Sequence, residues 1–331
     1  MEAHMIPPIL QKGDTVRVLT PARTLALPWM GEDLKQLAQE RLEALGLIVT
    51  FGKYVNESDA FGTATVEHRI EDLHDAFADP SVKLILSVIG GYNSNQLLQY
   101  IDYDLIKKNP KRLCGFSDIT ALASAIYAKT GLVTYSGPHF FNFGQKKGFE
   151  YTQDAFVKCH FSDQPFAIEP STQYVDGYWA NKQDNPDFIP NKGWLVLNEG
   201  EAEGTIIGGN LGTLCLLFGT EYMPRPQGDI VLFIEEDSED KDVGFDRHLQ
   251  SLLQQEWIKQ VRGVVVGRYE KDSGTTDEKL IATLRSKKEL RDLPIIANVD
   301  FGHTTPLMTF PIGGQARISA GVESRIEIVS H

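Results

Sequence analysis

The stretch Arg112–Gly131, RLCGFSDITALASAIYAKTG, decides how this chain is read. It opens as a short apolar strand, turns at a serine and continues as a helix that a glycine ends. Ser117 sits at the bend, where the carboxyl end of a strand in an open parallel sheet faces ligand. A nucleophile elbow places its serine there, usually as G-x-S-x-G. Gly115 stands two residues before Ser117, but Ile119 occupies the second glycine position, so the motif is half matched. The other reading is that Ser117 only caps the helix DITALASAIYAK. The residues of this stretch alone leave both open.

Outward from that unit the same alternation repeats. DTVRVLTPA reads as a first strand, GEDLKQLAQERLEALG as a helix, LIVTFGKYV as a strand and TATVEHRIEDLHDAFADP as a helix. VKLILSVIGG reads as a strand buried on both faces, NSNQLLQYID and YDLIKKNP as helical, and LVTYSGP as a further strand. Strand–helix alternation of this kind predicts a parallel sheet covered by helices. From about residue 146 to 192 the pattern lapses into polar sequence with prolines and aromatics, which reads as a linker and loop region. From Gly193 short strands resume, among them WLVLNEG, AEGTIIGGN, DIVLFIEE, VRGVVVGRY, LPIIANV and ARISA, with three helices between them. The expected organisation is an α/β N-terminal part over residues 1–145, the loop region 146–192 and a mixed α/β part over 193–331.

Composition excludes several functions. The 331 residues carry a formal net charge of -13, which disfavours broad contact with nucleic acid or anionic lipid. No apolar run approaches the roughly 18 residues of a membrane span, and the N-terminus has no apolar stretch of signal-peptide type, so a cytoplasmic protein is expected. Cys114, Cys159 and Cys215 have no ligand spacing, so no metal site is expected. A dinucleotide fingerprint and a Walker lysine are both absent.

A serine nucleophile needs a base, and the base an orienting carboxylate. His303, in VDFGHTTP, follows an apolar strand on a loop, which suits catalysis as well as a hydrogen-bonded turn. His139 follows SGP at a strand end and is a candidate for substrate contact. Glu235 is the first acid after the apolar run of DIVLFIEED, while Glu236, Asp237, Glu239 and Asp240 read as a solvated run. Burial of Glu235 without a partner would be costly, and a histidine would remove that cost. Gly90 and Gly91 in VIGGYNSNQL could present a backbone N–H to an oxyanion or a phosphate, or form only a tight turn. Asn93, Asn95 and Asn210 flank glycine turns and are substrate-contact candidates.

The ordered motifs GGYNSNQLL, GFSDITAL, GTIIGGNLGTL, LFIEED and FGHTTP resemble the LD-carboxypeptidase family of serine peptidases, and within it the microcin C immunity branch. The resemblance spans nearly the whole chain. It implies a flavodoxin-like or Rossmann-like N-terminal domain, a smaller swivelling β/α C-terminal domain, a homodimer, and no metal or organic cofactor. It implies Ser117 as nucleophile, His303 as base and acid, Glu235 as its orienting partner, and backbone N–H donors at Asp118 and at Gly91 or its neighbour. The implied substrate is a small molecule or peptide, not a nucleic acid polymer. The immunity branch cleaves an acyl–amide link to a modified nucleotide and stacks a loop aromatic on the base, here Trp179 in DGYWANKQ. The alternatives are removal of terminal D-alanine from murein tetrapeptides, or a non-catalytic sensor using the same cleft.

Overall fold

The computed structural model describes residues 4–177 and 182–331. Its strands are β1 Thr15–Leu19, β2 Ile48–Phe51, β3 Val82–Ser87, β4 Arg112–Cys114, β5 Thr134–Ser136, β6 Phe166–Ile168, β7 Gln173–Val175 and β8 Phe188–Pro190. They continue as β9 Leu195–Asn198, β10 Gly200–Asn210, β11 Ile230–Glu235, β12 Val261–Gly267, β13 Ile295–Val299, β14 Phe310–Ile312, β15 Gln315–Ala320 and β16 Arg325–Ser330. The α-helices are α1 Glu32–Ala44, α2 Val66–Ala78, α3 Tyr103–Lys108, α4 Ile119–Thr130, α5 Glu150–His160, α6 Leu211–Cys215, α7 Lys241–Leu253 and α8 Asp277–Ser286.

The first sheet has the order β14-β5-β4-β3-β1-β2. Strands β1 to β5 pair in parallel, as the strand–helix alternation requires. The order 2-1-3-4-5 is flavodoxin-like, with its switch point between β1 and β3. β3 is buried on both faces except at Lys83, which matches its near-continuous apolar run. The second sheet has the order β6-β16-β15-β10-β11-β12-β13-β9, with β10 to β13 parallel and the flanking strands antiparallel.

Helix α4, directly after Ser117, is the pivot between the sheets. Its buried residues include Ile119 to Tyr127 without interruption, and it packs against β5, β10 and α6. A helix apolar all round must be enclosed, and here both sheets enclose it. Gly131 ends it in the left-handed conformation, φ 74°, as the sequence predicts.

Three expectations change. The segment 146–192 contains α5, which buries Thr152, Ala155, Phe156, Cys159 and His160 on one face. Polar residues fill the rest of its short sequence and hide that period. The segment also supplies β6, which extends the second sheet, and the β7–β8 pair. NSNQLLQYID forms a 3₁₀ helix over Ser94–Tyr100 rather than an α-helix. Phe310–Ile312, unmarked in the sequence reading, crosses back as β14 and pairs antiparallel with β5, so the C-terminal part completes the first sheet.

Candidate active site

Ser117 follows β4 and holds φ 58°, the left-handed region that a non-glycine residue seldom adopts. Such strain persists only where surrounding structure fixes it, and it concentrates at functional sites. The turn directs the serine side chain to His303, whose Nε2 lies 3.0 Å from Ser117 Oγ. His303 Nδ1 in turn lies 2.8 Å from Glu235 Oε2. A carboxylate only accepts, so in the neutral imidazole Nδ1–H donates to Glu235 and the bare Nε2 accepts from the serine hydroxyl.

Three strands deliver these groups: β4 to Ser117, the last position of β11 to Glu235, and β13 through Asp300–Gly302 to His303. Gly302, φ 102°, permits the approach, because a β-carbon there would meet Glu235 Oε2 at 2.7 Å. Glu235 is 2% exposed, and its Oε1 has no hydrogen-bond partner. Burial alone would lower the His303 pKa, but the carboxylates of Glu235, Asp237 and Glu270 override it and raise it to about 9.

Glu236 corrects the sequence reading of a solvated acid run. It is 1% exposed and directly follows β11; His248 Nδ1 donates to its Oε2 at 2.8 Å and the Gly212 N–H to its Oε1 at 3.2 Å. Two adjacent buried glutamates, the last residue of β11 and the one after it, thus pair with two different histidines. Burial raises the Glu236 pKa, and that carboxylate raises the pKa of His248. Ligand atoms of Glu236, Asp240 and His248 lie within 4.8 Å of one another, a histidine-containing cluster the sequence reading did not foresee. Glu236 and His248 already satisfy each other there.

The remaining expected residues divide. His139 is 2% exposed, its Nδ1 lies 2.7 Å from Ser87 Oγ, and its ring stacks on Phe116 with centroids 4.3 Å apart. Burial, then His303, lowers its pKa to about 3, so it is neutral. It lines the cleft beside Ser117, and its Nε2 has no partner. Gly90 and Gly91 line the same cleft; a β-carbon on Gly90 would stand 3.1 Å from Ser117 Oγ. The Asp118 carboxylate accepts from the Asn93 and Ser94 N–H groups at 3.1 and 2.9 Å, and burial raises its pKa. Among the described residues, the Asp118 and Gly91 N–H groups are spent on no intramolecular hydrogen bond.

Asn93 and Asn210 are not among the residues that line the cleft. Asn93 Oδ1 accepts from Arg69 at 3.1 Å, which pins the turn after Gly91. Asn210 Oδ1 accepts from the Thr213 N–H at 2.9 Å and caps α6. Both Oδ1 atoms are thus engaged by the scaffold, while Asn210 Nδ2 is buried without a partner. Trp179 lies outside the described residues.

The cleft holds about 610 Å³. Its lining includes residues that the sequence reading passed over: Arg23, Trp29, Tyr92, Phe116, Ser238 and Glu270. The Phe116 ring also meets His303 edge-on, centroids 5.3 Å apart. A second network fixes the His303 loop: Asp300, buried, accepts from the Ser171 N–H and hydroxyl at 2.9 and 2.8 Å and pairs with Arg268 at 3.4 Å.

Known proteins match this architecture along the chain. Residues 16–137 match the LD-carboxypeptidase N-terminal domain and residues 203–318 the LD-carboxypeptidase C-terminal domain. The chain belongs to the LD-carboxypeptidase family. It is therefore a hydrolase of the serine peptidase type. YocD of Bacillus subtilis, whose name carries the word carboxypeptidase and no substrate, is 49% identical over 97% of this chain and 98% of its own. The microcin C7 self-immunity protein MccF of Escherichia coli is 30% identical over 83% of this chain and 82% of its own. The murein tetrapeptide carboxypeptidase of Pseudomonas aeruginosa is 26% identical over 91% and 92%. Among solved structures, an MccF-like protein from Bacillus anthracis superposes with a TM-score of 0.96 at 50% identity, covering 99% of this chain and 100% of that one. MccF with glutamyl sulfamoyl guanosine bound superposes with a TM-score of 0.88 at 28% identity, covering 99% of each. Among the described residues of this LD-carboxypeptidase relative, no helix is long and apolar enough to cross a membrane.

Proposed function

We propose that this chain hydrolyses the amide bond between an aminoacyl or peptidyl group and a modified nucleotide, with Ser117, His303 and Glu235 as its triad. The observation that carries the reading is the unbroken relay from Ser117 Oγ to His303 at 3.0 Å and on to Glu235 at 2.8 Å, with the serine held at φ 58°. A sensor with the same cleft has no need of that relay.

Ser117 Oγ attacks the amide carbon while its proton passes to His303 Nε2. Glu235 stabilises the imidazolium through Nδ1–H. The negative charge that develops on the carbonyl oxygen is held by backbone N–H groups at Asp118 and at Gly91 or Gly90; losing one such donor costs on the order of 10²-fold in rate. The C–N bond breaks as His303 returns the proton to the leaving nitrogen. Water, activated by the same imidazole, then attacks the ester and frees Ser117.

The substrate class follows the MccF-like relatives, one of which holds glutamyl sulfamoyl guanosine. Trp179 is the proposed platform for the base; a base–aromatic stack contributes about 1–3 kcal/mol. The second reading, release of terminal D-alanine from a murein tetrapeptide, rests on the likeness to the Pseudomonas carboxypeptidase. A homodimer, proposed from the family resemblance, is checked by light scattering.

A paired assay tests the function. Wild-type protein and Ser117→Ala receive an aminoacyl sulfamoyl adenosine and, separately, a murein tetrapeptide, with products followed by mass spectrometry. Serine-dependent cleavage of the adenosine compound is expected. Serine-dependent release of D-alanine alone replaces the first reading with the second, and turnover that survives Ser117→Ala removes both.

A further inference from the structure

The order of the first sheet reverses between β1 and β3, so the loops after those strands flank the crevice where such sheets bind ligand. Arg23 lies in the first of these loops and Gly90–Gly91 in the second. The Arg23 N–H donates to the Gly90 carbonyl at 3.4 Å, and a β-carbon on Gly91 would meet Arg23 Cγ at 2.9 Å. On the other side of the turn, Gly90 faces Ser117. Two glycines therefore separate Ser117 from the Arg23 side chain.

That side chain is unsatisfied. Its Nε is buried without a partner, and among the described residues no acceptor or carboxylate meets its guanidinium. Arg69 and Arg268 also bury an unpartnered Nε, but the terminal nitrogens of the buried arginines are engaged, as those of Arg23 are not among the described residues. Arg69 donates to Pro21 and Asn93, Arg112 to Pro7, Pro8 and Cys159, and Arg268 to Asn298 and Asp300. Arg23 is also the one lysine or arginine among the described residues lining the cleft, which Asp237, Glu239 and Glu270 otherwise make acidic. A half-buried guanidinium without an acceptor is costly, and its planar fork fits an oxyanion.

We infer that Arg23 binds an oxyanion carried by the substrate, across the Gly90–Gly91 turn from Ser117. This rests on the hydrolase reading above for the identity of the substrate. Two carriers share the chemistry. One is the terminal carboxylate of a peptide, a single residue beyond the amide to be cut, and successive Cα atoms are about 3.8 Å apart. The other is the phosphate or sulfamate of a nucleotide.

The test is calorimetric binding to the intact Ser117→Ala chain, alone and combined with Arg23→Gln or Arg23→Lys. The probes are a murein tetrapeptide, the same peptide as its terminal amide, and AMP. Arg23→Gln is expected to weaken the tetrapeptide or AMP about 10–100-fold, with Arg23→Lys intermediate, since a charged hydrogen bond is worth that much. The terminal amide is expected to bind equally with or without Arg23. A loss confined to the tetrapeptide assigns the carboxylate, and one confined to AMP assigns the phosphate. Equal loss on acid and amide, unchanged binding of both anions, or no binding of either anion to the Arg23 protein overturns the inference. Wild-type turnover is read separately: Arg23-dependent binding without hydrolysis overturns the hydrolase reading and leaves the anion site standing.

Discussion

At the residue scale, the proposed base His303 would set the working pH. Its pKa is raised to about 9, with Glu235, Asp237 and Glu270 outweighing burial. A general base must be neutral, so most molecules at pH 7 hold His303 protonated and unable to take the serine proton. The proposed mechanism therefore predicts that kcat/KM climbs with pH through an acid limb near 9. Glu270→Gln removes one of the negative charges that favour the imidazolium, so the limb should move to lower pH. A pH–rate profile of both proteins checks this; a flat profile above pH 6, or a limb unmoved by Glu270→Gln, contradicts it. Ser117, Glu235 and His303 stood out as candidates because each is a polar residue at or shortly after the end of an apolar strand, and the family motifs GFSDITAL, LFIEED and FGHTTP joined them. Arg23, Phe116 and Glu270 did not, because a side chain's approach to a cleft depends on how three loops meet in space. Glu236 misled for the opposite reason: its partner His248 lies on another element, so burial could not be read from its acidic neighbours.

At the element scale, the turn after β3 matters as much as the elbow after β4. A β-carbon on Gly90 would stand 3.0 Å from Ser117 Cβ and 3.1 Å from its Oγ, so Gly90→Ala must push the serine off line by a few tenths of an ångström. A misplacement near 1 Å can cost 10²-fold, so a loss of about 10-fold in kcat with little change in Tm is expected. Kinetics beside a thermal melt measure both; full activity would show that the turn does not position Ser117. Strands β1 to β5, β9 to β13 and β15 were readable from β-branched runs and from glycine punctuation, while β6 and β16 were not. α5 was not, since its apolar face is short and diluted by polar residues. β14 was not, because three residues around Pro311 carry no period, and only the tertiary fold gives them a strand to pair with.

At the scale of the whole molecule, the two halves of the chain share their structure. β14 brings the C-terminal half into the first sheet, α4 packs between the sheets, and Ser117 meets Glu235 and His303 across them. Neither half buries its apolar faces alone, so heating should give one transition with equal calorimetric and van't Hoff enthalpies. Two resolved transitions would mean that the halves fold independently. If this shared architecture makes Ser117 a nucleophile, as proposed, the serine can be trapped covalently. A fluorophosphonate, which esterifies activated serines, is incubated with the wild-type chain, Ser117→Ala and His303→Ala, and the adduct is mapped by peptide mass spectrometry. A single adduct on Ser117 is expected, absent in Ser117→Ala and slowed at least tenfold in His303→Ala. No adduct, or one on another serine, would contradict it.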